Sequence, residues 1–130
     1  MTGRSAPISL AGRIRQAVSR REREIREFTA ALVAIPTENP PGRRYRECAR
    51  LLAEKLRELG LSAETVRVPS RGGGGGDGNR EARYCVLSSL GRGLRTLYFH
   101  GHYDVVPASV PHQFDPQVSA GRSSAVARPT

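Results

Sequence analysis

Apolar residues recur at three- and four-residue steps through the first part of the chain, which is the spacing of one face of an α-helix. These apolar positions are Leu10, Ile14, Val18, Ile25, Phe28, Leu32 and Ile35. The pattern is interrupted around Arg21, and Pro36 disfavours helical geometry at the residue before it. We therefore expect one amphipathic helix that ends before Pro36 and is best defined over residues 22–34.

A second apolar stripe with helical spacing starts at about Arg43, after a turn-forming Asn-Pro-Pro-Gly segment. Its members are Tyr45, Cys48, Leu52, Leu56 and Leu59. Gly60 follows at the place where many helices end in a residue of left-handed conformation. We expect a second helix that buries this stripe and ends at Gly60.

Beyond Gly60 the spacing of apolar residues changes toward two, which is typical of β-strands. It predicts strands at residues 63–68, 83–87 and 96–99. The glycine run at 72–76 is interpreted as a flexible hairpin tip, because no Gly-Lys-Ser/Thr follows it as a phosphate loop requires. Two helices followed by three strands begin an α/β or an α+β domain without finishing it, and we expect the α/β class with an incomplete sheet.

Length, charge and hydropathy narrow the class of protein. The 130 residues suffice for one domain, and no run approaches the ~20 apolar residues that cross a bilayer. The 21 basic and 12 acidic residues give a net charge of +9, which suits a nucleic acid or an anionic membrane. However, the arginines of the helical region alternate with glutamates, as solvated helix faces do. We expect a cytoplasmic protein with no nucleic acid and no membrane as partners, and keep a basic nucleic-acid-binding protein as an alternative.

The candidate chemistry follows the last predicted strand. His102 and Asp104 are two residues apart, so in extended chain their side chains share a face. A neutral imidazole is a strong zinc ligand, and a neighbouring carboxylate can hold its second ring nitrogen. By itself such a pair is more often structural, or a chance juxtaposition, than a metal site.

Three longer strings resemble one family. Residues 97–107, Leu-Tyr-Phe-His-Gly-His-Tyr-Asp-Val-Val-Pro, resemble the first metal motif of the co-catalytic zinc metallopeptidases, which include acetylornithine deacetylase, succinyl-diaminopimelate desuccinylase, aminoacylase and carboxypeptidase G. Residues 35–42, Ile-Pro-Thr-Glu-Asn-Pro-Pro-Gly, are similar to the segment after that family's first helix. Residues 45–60 are similar to its second helix. The three strings stand in the family's order, and the resemblance covers roughly residues 24–122.

The resemblance implies the N-terminal portion of a three-layer zinc-peptidase-like catalytic domain. It implies a metal-dependent hydrolase of amide bonds in N-acyl amino acids or short peptides, and complete relatives that are dimeric. His102 would be a ligand of one of two Zn²⁺ ions, with Co²⁺ or Mn²⁺ as alternatives, and Asp104 the catalytic-site carboxylate that holds its imidazole. His100 matches no family ligand and is expected to be a satisfied structural histidine, while His112 and Asp115 receive no ligand role.

The family's further ligands are not recognisable in this sequence. In the family, an aspartate in a Gly-Arg-Gly-x-x-Asp motif bridges the metals, and a later glutamate pair supplies the general base and a ligand. After Gly121-Arg122 the sequence departs from that pattern, but its codons read one nucleotide out of frame allow Arg-Leu-Phe-Gly-Arg-Gly-Ser-Ser-Asp. We therefore expect residues 1–18 to be a leader or helix extension, 19–122 a partial catalytic domain, and 123–130 a frameshifted tail. This chain alone would then be inactive, and an inactive truncated product is the alternative to a hydrolase.

Overall fold

The fold is described from a computed structural model, for residues 8–68, 82–119 and 122–124. Three helices precede a small antiparallel sheet, so this part of the chain is broadly α/β, as the sequence predicts. The expected hairpin tip at 72–76 and most of the expected tail at 123–130 lie outside the described residues. The division into leader, partial domain and tail stays a prediction.

The first apolar stripe forms two helices, α1 (Leu10–Arg20) and α2 (Glu22–Val33), where the sequence analysis expected one. Arg21 separates them with φ −108° and ψ 10°, at the point where the apolar spacing is interrupted. The single-helix prediction is wrong, because no apolar side chain continues the apolar stripe across this junction. The end of α2 agrees with the prediction, since Pro36 cannot continue the helix.

The second apolar stripe forms α3 (Tyr45–Glu58), and its C-terminal end agrees with the prediction. Gly60 has φ +78°, a conformation that costs glycine little because it has no Cβ atom. The N–H of Gly60 donates to the carbonyl oxygen of Arg57 at 2.8 Å, and that of Leu61 donates to Leu56 at 3.0 Å. These two bonds satisfy carbonyl groups that the end of the helix would otherwise leave unpaired.

The predicted strands at 63–68 and 83–87 are confirmed as β1 (Glu64–Val68) and β2 (Arg83–Leu87). They pair antiparallel, with Val66 opposite Cys85. A second short antiparallel pair joins Gln117–Ser119 (β3) to Arg122–Ser124 (β4), and the sequence analysis did not predict it. The expected boundary between domain and tail falls inside β4.

Residues 96–99, the third predicted strand, form no strand and pair with no other segment in the described ranges. Leu97 is 79% exposed and Phe99 is 82% exposed. The prediction of a strand here is wrong, because a strand exists only where a neighbouring segment accepts and donates its backbone hydrogen bonds. The alternating pattern suits a strand, but the described residues supply no neighbouring strand for this segment.

The buried side chains lie where α3 meets the segment after α2. They are Ile35, Thr37, Tyr45, Cys48, Ala49 and Ala53. Leu52, Leu56 and Leu59 were expected in the core, but the first two are half-buried and the third is exposed. Leu52 and Leu56 instead line an open cavity of about 1470 Å³, whose other wall includes Leu97 and Phe99. The core is therefore built on the alanine side of α3, since nothing in the described chain closes over its leucines.

Candidate functional site

Two segments far apart in the chain meet at the candidate site. Glu38 and Val105 form a parallel β-bridge. The N–H of Asn39 donates to the carbonyl oxygen of Val105 at 2.7 Å, and the N–H of Val105 donates to that of Thr37 at 3.0 Å. The side-chain oxygen Oε1 of Glu38 accepts from the N–H of Ala108 at 2.9 Å. The segment after α2 and the segment around His102 are therefore held together by backbone hydrogen bonds.

Tyr103, between the two predicted site residues, is anchored at both ends. Its carbonyl oxygen accepts a hydrogen bond from the buried hydroxyl of Thr37. Its phenol donates to the carbonyl oxygen of Tyr84 in β2 at 2.7 Å. Its ring meets that of Tyr45 edge to face, with centroids 5.8 Å apart and an angle of 80° between the planes. Because Tyr103 points inward, its neighbours His102 and Asp104 are carried on a fixed backbone at the surface.

His102 and Asp104 lie side by side, as their spacing predicts. The ring nitrogen Nδ1 of His102 lies 2.9 Å from the carbonyl oxygen of Asp104 and 3.2 Å from its carboxylate oxygen Oδ1. Both of these oxygens are acceptors when the carboxyl group is ionised, so in the neutral imidazole Nδ1 must carry the proton and Nε2 the lone pair. The side chain of His102 is 81% exposed, which leaves Nε2 open to a ligand.

Asp104 is held in its ionised form. Its second oxygen, Oδ2, accepts a hydrogen bond from the amide nitrogen Nδ2 of Asn39 at 3.0 Å. This bond is the main cause that lowers the pKa of Asp104, and the nearby imidazole of His102 adds to it while partial burial opposes it. The ionised carboxylate has only acceptor oxygens, so it can accept a hydrogen bond from the Nδ1–H of His102.

The described residues supply one imidazole with a free ring nitrogen and no complete metal site. An imidazole whose Nδ1–H is held by a carboxylate is the usual form of a zinc-ligating histidine. A catalytic zinc usually takes three protein ligands. In the parts of the chain that the structure covers, no three or more His, Cys, Asp or Glu side chains come together as a metal would require. The arrangement thus fits one position of a zinc coordination sphere and does not complete it.

The other histidines differ from His102 in their surroundings. His100 is exposed, with its ring centroid 6.3 Å from that of Tyr98. It has no hydrogen bond to any described residue, so the expectation of a satisfied structural histidine is not met. His112 forms its own pair with Asp115, with 2.8 Å between Nδ1 and Oδ2.

Sequence reasoning assigned no site role to Asn39 or Thr37. Both belong to residues 35–42, which resemble the family's segment after its first helix, and the sequence predicts only a turn around Asn39. The signal that could have identified them is this resemblance itself. Only the folded chain shows that their side chains reach Asp104 and Tyr103.

No family model, curated protein or solved structure matches this chain. None of the helices in the described ranges has the length and apolar character needed to cross a membrane.

Proposed function

We propose that this chain carries the first metal-ligand segment of a zinc-dependent amide hydrolase that acts on N-acyl amino acids or short peptides. The observation that carries the proposal is the His102–Asp104 pair, in which Nδ1 faces two acceptor oxygens and Nε2 is open. His102 is the metal ligand, and Asp104 is the carboxylate that orients it. Zinc ions bound there supply Lewis-acid activation of water and of the scissile carbonyl group.

The contact between two family-like strings supports this proposal. Residues 35–42 and 97–107 resemble separate segments of the co-catalytic zinc metallopeptidases, and in the folded chain they are joined through Thr37, Asn39 and Val105. If His102 and Asp104 were close only by chance, we would not expect a side chain from a second segment to bind the carboxylate, as Asn39 does. The three-layer fold, the two-zinc site and the dimeric state of complete relatives belong to the same proposal.

The site as described needs further ligands. Because one imidazole cannot hold a catalytic zinc, we propose that the remaining ligands come from polypeptide outside the described residues, such as a continuation in the shifted reading frame or a second subunit. Catalysis by the described residues alone is not proposed. Zn²⁺ is the proposed metal, and Co²⁺ and Mn²⁺ suit the same kind of site.

The charge distribution fits a hydrolase better than a nucleic-acid-binding protein. Several arginines in α2 and α3, or immediately before these helices, form ion pairs with glutamates three or four positions away. These pairs are Arg21 with Glu24, Arg23 with Glu27, Arg26 with Glu22, Arg44 with Glu47 and Arg50 with Glu54. Arginines paired in this way are less available to phosphate groups, so we propose that neither nucleic acid nor a membrane is a partner.

The test begins with the gene. If its DNA continues in the shifted frame, the longer protein is expressed, and its zinc content and its hydrolysis of N-acetyl and N-succinyl amino acids are measured. His102→Ala should abolish hydrolysis and remove one zinc. Asp104→Ala should weaken zinc binding by about 10- to 100-fold, as losses of such orienting carboxylates do.

His100→Ala is the matched control, because this histidine lies two residues away and is also exposed. It should leave the zinc content and the rate unchanged. Full activity and full zinc content in His102→Ala would overturn the proposed function. If the DNA has no shifted frame, the same measurements are made on the chain with the subunit that copurifies with it.

A further inference from the structure

We propose that Asn39 is a positioning residue, which fixes the Asp104 carboxylate and through it the orientation and tautomer of His102. The inference rests on the proposed function only where it describes His102 as a metal ligand. The geometry itself concerns three side chains in a row, Asn39, Asp104 and His102, joined by two contacts of 3.0 and 3.2 Å. The carbonyl oxygen of Asp104 is a second acceptor for Nδ1 of His102, at 2.9 Å, so Asn39 controls the share of the tautomer preference that the carboxylate supplies. No part of the family resemblance assigns this task to Asn39.

The two oxygens of the carboxylate have different partners. Oδ2 of Asp104 accepts from Nδ2 of Asn39, and Oδ1 faces Nδ1 of His102. The Asp104 side chain is partly exposed, so without a second partner its carboxylate could rotate and bond to water. A donor on Oδ2 leaves Oδ1 directed at the imidazole. The orientation of the Asn39 amide follows from the same logic, because only its NH₂ group can donate to a carboxylate.

The backbone of Asn39 does a separate task. Its N–H bonds to the carbonyl oxygen of Val105, and Thr37 and Glu38 form their own bonds to the same segment. None of these bonds uses the amide side chain. Docking of the two segments and positioning of Asp104 can therefore be separated by a substitution that changes only the side chain of Asn39.

An amide suits this position because it is an uncharged donor. A guanidinium or ammonium group at the same place would form an ion pair with the carboxylate and so weaken its interaction with the imidazole. A second carboxylate would repel Asp104. The asparagine orients Asp104 and leaves its full negative charge for the Nδ1–H of His102.

The tautomer of His102 is the direct readout. Two-bond ¹H–¹⁵N correlation spectra of the protein labelled at histidine separate the Nδ1–H from the Nε2–H form, at a pH of about 8.5 where an ordinary histidine is neutral. In the wild-type protein His102 should be mainly Nδ1–H, the form that free histidine disfavours. Asn39→Asp, which keeps the shape and removes the donor, should shift His102 toward the Nε2–H form, and Asn39→Ala should do so as well.

The chain offers two controls. His112 forms an equivalent pair with Asp115 outside the influence of Asn39, so its tautomer in the same spectrum should stay unchanged. Gln16→Glu makes the same amide-to-acid change on the exposed face of α1 and should leave His102 unchanged. A purely structural role for Asn39 would alter thermal unfolding or both histidines together, and would not move His102 alone.

A double-mutant cycle tests whether Asn39 acts through Asp104. If it does, Asp104→Asn combined with Asn39→Ala should shift the His102 tautomer no further than Asp104→Asn alone. In a zinc-loaded full-length protein, Asn39→Asp should weaken zinc binding by about 10-fold or more, and by no more than Asp104→Ala.

An unchanged His102 tautomer in both folded Asn39 variants would overturn the inference, as would additive effects in the cycle. Loss of the fold in both variants would also overturn it, because the side chain would then be needed for docking. These outcomes are independent of the proposed function. His102→Ala can lose zinc while Asn39 has no effect, and Asn39 can set the tautomer in a chain that never binds zinc.

Discussion

The buried hydroxyl of Thr37 donates a hydrogen bond to the carbonyl oxygen of Tyr103, and so ties the segment after α2 to the residue between His102 and Asp104. The two residues are 66 positions apart in sequence, and neither residue type by itself indicates a functional site. Their bond nevertheless decides where the two surface side chains stand, since it fixes the backbone that carries them. Removing this hydrogen bond by substitution therefore tests whether the two segments depend on it for their contact.

Replacing Thr37 by valine should lower the free energy of unfolding by about 1–3 kcal/mol, because the shape is kept while a buried carbonyl group loses its donor. Thr37→Ser keeps the hydroxyl and loses only a methyl group, so it should cost about 1 kcal/mol, the cost of one buried methylene. Urea unfolding of both variants measures the difference. A Thr37→Val protein as stable as the wild-type protein would show that the hydrogen bond contributes nothing.

The exposed apolar residues near the cavity should tolerate polar replacement. Leu97 and Phe99 pack against little in the described chain, so Leu97→Ser combined with Phe99→Ser should change the free energy of unfolding by less than about 0.5 kcal/mol. The same pair should lower the binding of a fluorescent apolar dye and raise solubility.

Ile35→Ala provides the contrast, because Ile35 is buried and its truncation should cost about 2–5 kcal/mol. A large loss of stability in the Leu97 and Phe99 variant would mean that this segment is packed in solution. In that case the open cavity would be closed by another part of the protein.

The two thiols should react at very different rates. Cys48 is 1% exposed, and burial raises the pKa of its thiol to about 11, so it is almost entirely protonated at pH 8. Cys85 is exposed on β2. A thiol reagent at pH 8 should modify Cys85 quickly and Cys48 only in denaturant, and the fast phase should vanish in Cys85→Ser. Rapid modification of two thiols in the folded protein would contradict the packing of α3.

Alkaline pH should destabilise the fold. Burial raises the pKa of Cys48 from 9.0 to about 11 and that of Tyr103 from 10.0 to about 12. The unfolded chain therefore releases these protons at lower pH than the folded chain, so the stabilising contribution is complete below about pH 9 and is lost as pH rises toward 11 and 12.

Urea unfolding at a series of pH values measures this loss. Cys48→Ala should flatten the decline between pH 9 and 11. An equal decline in the wild-type protein and in this variant would assign the alkaline loss to other groups.

Local patterns predicted some of the regular elements closely. Residues 22–34 and 83–87 correspond closely to α2 and β2, and Gly60 ends α3 in the expected left-handed conformation. These features depend on interactions between residues a few positions apart, which apolar spacing, proline and glycine report directly. The proximity of His102 and Asp104 belongs to the same class, because only Tyr103 separates them.

The sequence by itself determined α2, α3, β1, β2 and the proximity of His102 to Asp104, since each depends on short-range geometry. The tertiary structure decided what long-range contacts control. It placed Ala49 and Ala53 in the core in preference to the leucines of α3, left residues 96–99 without a neighbouring strand, and brought Asn39 to Asp104. The physical reason is that burial and hydrogen bonding between distant segments depend on which surfaces the folded chain brings together, and a linear pattern of apolar and polar residues does not contain that information.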